Sequence, residues 1–184
     1  NTSPMIELET VFIDGGFTIN DELPPESAFA SGRVLLENVE TGDVVLLGRT
    51  HEGSYGQRVL KGTYDIYYAV DLPGAGVPIN EHAKVSTMEF TGDESFTIDI
   101  PTKTITGDIT FSTQQAPNTP ADSGRLYVRA GAIGDGASIG ASTAQSYEVD
   151  VVPGSYAVYF RSDGSQEVTP RNSNARVACM VVPQ

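Results

Sequence analysis

The chain has 184 residues, a formal net charge of −13, 19 glycines, 11 prolines and no tryptophan. Such an acidic surface repels phosphate backbones and anionic lipid, which excludes nucleic acid as a partner, and no apolar run approaches the roughly 20 residues that a membrane-spanning helix needs. The length suits one large domain or two small ones, and the many Val, Ile, Thr and Tyr residues favour short strands over helices.

In chain order, period-two alternation bounded by turn residues predicts strands over residues 3–8, 10–20, 31–39, 43–50, 55–60, 62–70 and 83–91. Val34 and Leu36 face one way while Leu35 and Glu37 face the other; Tyr64, Ile66 and Tyr68 form a second apolar face. Thr41-Gly42-Asp43 supplies hairpin-turn chemistry between two of these strands, because Gly tolerates positive φ and Asp bonds nearby backbone.

The second half repeats the first at an offset of 92 residues without a gap. Ile13, Gly15 and Pro25 recur as Ile105, Gly107 and Pro117, and Ser31-Gly32-Arg33 recurs as Ser123-Gly124-Arg125. Ser54-Tyr55, Gly62, Tyr64 and Tyr67 recur as Ser146-Tyr147, Gly154, Tyr156 and Tyr159, and Asn80, Val85 and Met88 as Asn172, Val177 and Met180. The turn also returns, as Ile133-Gly134-Asp135. This is a tandem duplication, and a repeat of that length makes each copy one structural unit. The expected fold is all-β: two tandem seven-stranded antiparallel β-sandwiches in series, with residues 1–10 a donor or linker strand, 11–100 the first sandwich and 101–184 the second.

Val59-Leu60-Lys61-Gly62-Thr63-Tyr64 and Val151-Val152-Pro153-Gly154-Ser155-Tyr156, each an apolar residue followed by Gly, a small residue and Tyr entering a strand, resemble carboxypeptidase regulatory-like (transthyretin-like) sandwich modules. Tandem copies of similar repeats, with the Gly-Asp hairpin and Val77-Pro78-Ile79-Asn80, occur in secreted bacterial surface proteins. The resemblance implies an Ig-like or transthyretin-like fold and an extracellular setting, and it carries no catalytic residues. A chain beginning at Asn1 with no signal peptide is expected to be a processed, exported form.

Candidate chemistry is sparse, and no enzyme activity, metal or cofactor is expected. His51 and His82, whose repeat partners are Thr143 and Asn174, read as exposed loop histidines without ligand spacing. Asp14, Asp21, Glu22 and Glu26 raise the possibility of calcium, but their counterparts Thr106, Thr113, Gln114 and Asn118 favour a solvated acidic loop. Asn1-Thr2-Ser3 matches a glycosylation sequon, a weak pattern. The lone Cys179 excludes an intrachain disulfide and reads as a small buried residue of a strand. Tyr67 and Tyr159 lie on the face opposite the core tyrosines, where loop cover, a subunit contact or a glycan or cell-surface contact are the alternatives.

The most informative pattern is a phase shift. Residues 3–10 align with residues 95–102, so that Ile98, Asp99 and Ile100 fall on Ile6, Glu7 and Leu8. Residues 85–90 and 95–100 flank Thr91-Gly92-Asp93 and read as an antiparallel hairpin that completes the first sandwich. The second sandwich ends at Val182 without such a completing strand, while Pro4, Met5, Ile6, Glu7 and Leu8 form a strand with no partner before it. The expectation is strand donation: strand 3–8 of one copy, through Pro4, Met5, Ile6, Glu7 and Leu8, pairs with the edge formed by Val177, Cys179, Met180, Val181 and Val182 of the next, building a secreted, head-to-tail bacterial fibre. A surface spacer, an adhesin module and a carbohydrate- or protein-binding module are the alternatives.

Overall fold

A computed structural model describes residues 6–130, 137–164 and 168–184. In the first repeat the strands are β1 (Thr10–Ile19), β2 (Ser31–Asn38), β3 (Val44–Arg49), β4 (Ser54–Leu60), β5 (Gly62–Leu72) and β6 (Ala83–Phe90), followed by two short segments, β7 (Glu94–Ser95) and β8 (Ile98–Ile100). Among the described residues the helical pieces are 3-10 turns at Thr50–Glu52 and Ser142–Ala144, so the chain is all-β.

One sheet has the order β3-β2-β5-β6 and is antiparallel throughout; the other pairs β4 with β1 antiparallel. Their inner faces bury Val34, Leu36, Ile66 and Tyr68 against Val11, Ile13, Phe17 and Val59, an arrangement consistent with a β-sandwich. The β2–β3 connection turns at Gly42, whose φ is +71°, and Asn38 Oδ1 accepts the Glu40 and Thr41 amides at 3.0 and 2.9 Å.

The hairpin expected between residues 85–90 and 95–100 does not form. After Phe90 the chain crosses to the opposite sheet, and β7 and β8 run parallel to β1, with Phe17, Thr18 and Ile19 opposite Ile98, Asp99 and Ile100. Side-chain bonds fix that crossing: Asp93 Oδ1 accepts the Phe12 amide at 2.7 Å, and Asp99 Oδ1 accepts Thr18 Oγ1 and the Asp21 amide, each at 2.8 Å. The reward is burial, since Ile98 and Ile100 enter the core between the two sheets.

The second repeat contains β9 (Lys103–Asp108), β10 (Thr110–Phe111), β11 (Gln114–Gln115), β12 (Ser123–Ala130), β13 (Ala137–Ala141), β14 (Ser146–Val151), β15 (Gly154–Gly164) and β16 (Ala175–Val182). Its large sheet has the order β13-β12-β15-β16, the counterpart of β3-β2-β5-β6, and β14 pairs with β9 as β4 pairs with β1. The registers repeat as well: Leu36 faces Ile66 as Val128 faces Val158, and Tyr64 faces Met88 as Tyr156 faces Met180. The turn expected at Ile133-Gly134-Asp135 lies outside the described residues.

Two single-residue expectations are corrected. Cys179 is exposed, with Arg176 Nη2 donating to its Sγ at 2.6 Å, because β16 is an edge strand whose outer face is uncovered. His51 is half-buried in the 3-10 turn with Nδ1 enclosed, whereas His82 is exposed.

Candidate functional site: an open groove in the second repeat

The two repeats differ most where β8 sits. In the first, Phe96, Ile98 and Ile100 fill the gap between the sheets; the Phe96 ring lies 5.7 Å from both Phe90 and Tyr55, and Tyr55 Oη donates to the Phe96 carbonyl at 2.8 Å. Burial, with the nearby Asp14 carboxylate, pushes the Tyr55 hydroxyl far above the ordinary phenol range, so it stays a donor.

In the second repeat none of the described residues takes that position. An open groove of about 420 Å³ remains, walled by Ile109, Thr110 and Phe111 along one side and by Ala175, Val177 and Met180 along the other. Leu126, Ile139, Tyr147, Val158 and Phe160 also line it, as do Asp108, Pro170, Asn172 and Ala178. Shifted back by one repeat, Ile109, Thr110, Phe111, Ala175, Val177, Met180, Leu126, Ile139, Tyr147, Val158 and Phe160 become Phe17, Thr18, Ile19, Ala83, Val85, Met88, Val34, Leu47, Tyr55, Ile66 and Tyr68, largely the core of the first repeat. Val34 and Ile66 are 0% exposed, whereas Leu126 and Val158 are only half-buried.

The backbone beside the groove keeps its path and pairs locally, Thr110 and Phe111 of β10 lying opposite Gln115 and Gln114 of β11, but has no parallel partner among the described residues. Phe17 N donates to Gly53 O, and at the same place Ile109 N donates to Gln145 O. The ten-residue β1 corresponds to two pieces, β9 and β10, interrupted at Ile109, and among the described residues no strand runs parallel to them as β8 runs beside β1.

A glycine and a tyrosine mark the same difference. At Gly15, φ is +149° and an added Cβ would lie 1.7 Å from the Phe96 carbonyl oxygen, so only glycine admits the passing strand. At Gly107 the nearest atom to such a Cβ would be Tyr147 Oη, at 2.6 Å. The Tyr147 hydroxyl rests over the glycine, whereas Tyr55 reaches out to a carbonyl.

Of the expected donor residues, Ile6 and Leu8 are 81% and 69% exposed, Glu7 is exposed, and all three lie in no strand; Pro4 and Met5 fall outside the described residues. Of the expected acceptor residues, Val177 and Met180 line the groove, Cys179 and Val181 are exposed, and Val182 belongs to the core of the second repeat. The groove side that matches the β8 site is β9–β10, through Ile109, Thr110 and Phe111. Sequence reasoning missed these three, together with Leu126, Tyr147, Val158 and Phe160. The signal that could have found them is their correspondence with buried positions of the first repeat.

The remaining candidates have local partners. Tyr67 stacks on His82 with centroids 4.0 Å apart, and the Arg129 guanidinium sits 4.5 Å from the centre of the Tyr159 ring. Among the described residues no group of three or more His, Cys, Asp or Glu side chains is placed to hold a metal ion, and no helix is long and apolar enough to cross a membrane.

No family model matches the chain, and no curated protein matches it. Its neighbours among solved structures include a leucine-rich repeat protein from Bacteroides thetaiotaomicron, with 15% identity and a TM-score of 0.32 over 95% of this chain and 25% of that one. A DUF3823 family protein from Parabacteroides merdae matches with 12% identity and a TM-score of 0.35 over 92% of this chain and 100% of that one. A streptococcal ancillary pilin matches with 11% identity and a TM-score of 0.28, covering 91% and 62% respectively. The chain thus spans about a quarter of the length of the leucine-rich repeat protein.

Proposed function

We propose that the protein is a structural subunit of an extracellular bacterial fibre, built from two transthyretin-like sandwiches in series, with no catalytic role. Copies join head to tail when residues 4–8 of one enter the groove of the next and run parallel to β9 and β10. The supporting observation is the agreement between the lining of that groove and the core that Ile98 and Ile100 complete in the first repeat.

The first repeat supplies the register. Ile6 takes the place of Ile98 and Leu8 that of Ile100, each inserting an apolar side chain, while Glu7 takes the place of Asp99. Thr110 then donates its hydroxyl to Glu7 as Thr18 donates to Asp99 at 2.8 Å. Pro4 corresponds to Phe96, and proline keeps the carbonyl that Tyr147 would meet as Tyr55 meets Phe96 O. Backbone bonds give affinity in this mode of binding and alternate side chains give register.

The donor segment cannot serve its own groove. Only Glu9 separates Leu8 from β1, a reach of about 3.5 Å, whereas the groove lies in the other sandwich. Strands donated from copy to copy in a contact that does not close on itself produce a filament.

Deleting residues 1–9 tests this reading. The truncated chain should remain folded and monodisperse while the intact chain assembles into fibres visible by negative-stain electron microscopy. Long fibres from the truncation, or an intact chain that stays monomeric at high concentration, would overturn it.

A further inference from the structure

Within one chain the two sandwiches are joined by a polar clasp. Asn80 is buried and donates from Nδ2 to Tyr156 Oη at 2.8 Å, while its Oδ1 accepts the Val152 amide at 2.7 Å. Tyr156 Oη in turn donates to the Val152 carbonyl, and the Asn80 carbonyl accepts the Val70 amide at 2.6 Å. Val152 itself packs into the core of the first repeat. A buried amide is costly unless its polar atoms are paired, so these bonds constrain how one sandwich sits on the other.

Both halves of the clasp recur without each other, one in each repeat. In the second repeat the Asn172 carbonyl accepts the Ser162 amide at 2.8 Å, as Asn80 accepts Val70, and Asn172 is exposed. In the first repeat Tyr64 Oη donates to the Leu60 carbonyl at 2.9 Å, as Tyr156 does to Val152. Leu60 is 46% exposed where Val152 is 2%. Lys61 N donates to Glu9 O, so alternation along the antiparallel β1–β4 ladder turns Leu60 N away from β1, on the open edge of β4.

We propose that Asn172 of one copy clasps Tyr64 Oη and Leu60 N of the next, reproducing between copies the joint that Asn80 makes within a copy. The kind of partner this surface fits is therefore the first sandwich of a second copy, and the clasp buries the otherwise exposed Leu60. This rests on the head-to-tail reading above. The flanking contact differs, since Ile79 N donates to Asp150 O within the chain and Arg171 and Arg58 hold the equivalent positions between copies. The side chains of the clasp are identical in the two repeats, Asn80 with Asn172 and Tyr156 with Tyr64, while its backbone member is Val152 in one and Leu60 in the other.

Because Asn172 also lines the groove, the test is Asn172→Ala in the full-length chain, read beside binding of a residue 94–102 peptide to the residue 1–9 deletion: the substitution should leave peptide affinity unchanged, and an equal loss there would place its effect in the groove and overturn the clasp. Fibres should still form, but the critical concentration for growth should rise about tenfold, the effect of losing roughly one well-placed pair of hydrogen bonds. The angle between successive copies in electron micrographs should also broaden, while the melting temperature of the residue 1–9 deletion should be unchanged by the same substitution. Asn172→Ala fibres with unaltered critical concentration and curvature would overturn the clasp and leave strand donation standing. An unsubstituted chain that forms no fibres would overturn both.

Discussion

Gly15 and Gly107 hold the same place in the two repeats, yet alanine is expected to act on them in opposite ways. At Gly15 the new methyl would meet the Phe96 carbonyl oxygen at 1.7 Å with φ at +149°. Neither backbone can yield, so Gly15→Ala should destabilise the first sandwich by about 2 kcal/mol or more in chemical denaturation. At Gly107 the obstacle is the far end of the Tyr147 side chain, which can rotate away. Gly107→Ala should therefore change the stability of the monomer by less than about 1 kcal/mol and still stop fibre growth, because the donated backbone has to pass there. Normal fibres from Gly107→Ala would count against the parallel placement beside β9.

Among the elements, β8 is the one whose counterpart position in the second repeat is an open groove among the described residues. A synthetic peptide of residues 94–102 should bind the groove of the chain lacking residues 1–9 and stabilise it, by about 2.7 kcal/mol at a hundredfold excess over its dissociation constant. The same peptide with aspartate at the positions of Ile98 and Ile100 should give no shift in melting temperature. Equal shifts from both peptides would point to non-specific binding and remove the groove as the acceptor. Sequence made most of this architecture legible: alternation located β1 to β6 to within about two residues, and the repeat located their counterparts. It misplaced residues 94–100, because Thr91-Gly92-Asp93 has hairpin chemistry and a period of two does not distinguish antiparallel from parallel pairing. The side-chain bonds from Asp93 and Asp99 that send the chain to the other sheet link residues about 80 positions apart, beyond any local pattern. Cys179 was misassigned for a related reason: the run from Ala178 to Val182 is apolar on both faces, so nothing local shows which face of an edge strand is left uncovered.

At the scale of the whole molecule, each copy in the proposed fibre would bring a net charge of −13, and like charges on successive copies repel. Raising ionic strength from about 0.01 to 0.15 M shortens the screening length from about 30 to about 8 Å, so fibre elongation followed by light scattering should accelerate across that range. Slower elongation would mean that attraction between unlike charges, absent from the proposed contacts, holds the copies together. The crossing from β8 through Pro101 into β9 has a mechanical meaning as well. In the proposed fibre, tension within a copy would pass from one repeat to the next along an unbroken polypeptide, whereas between copies it would cross only a short ladder loaded in shear. The proposed fibre, pulled along its axis, would then be a chain of alternating welds and clips, and its fragments would contain even numbers of repeats.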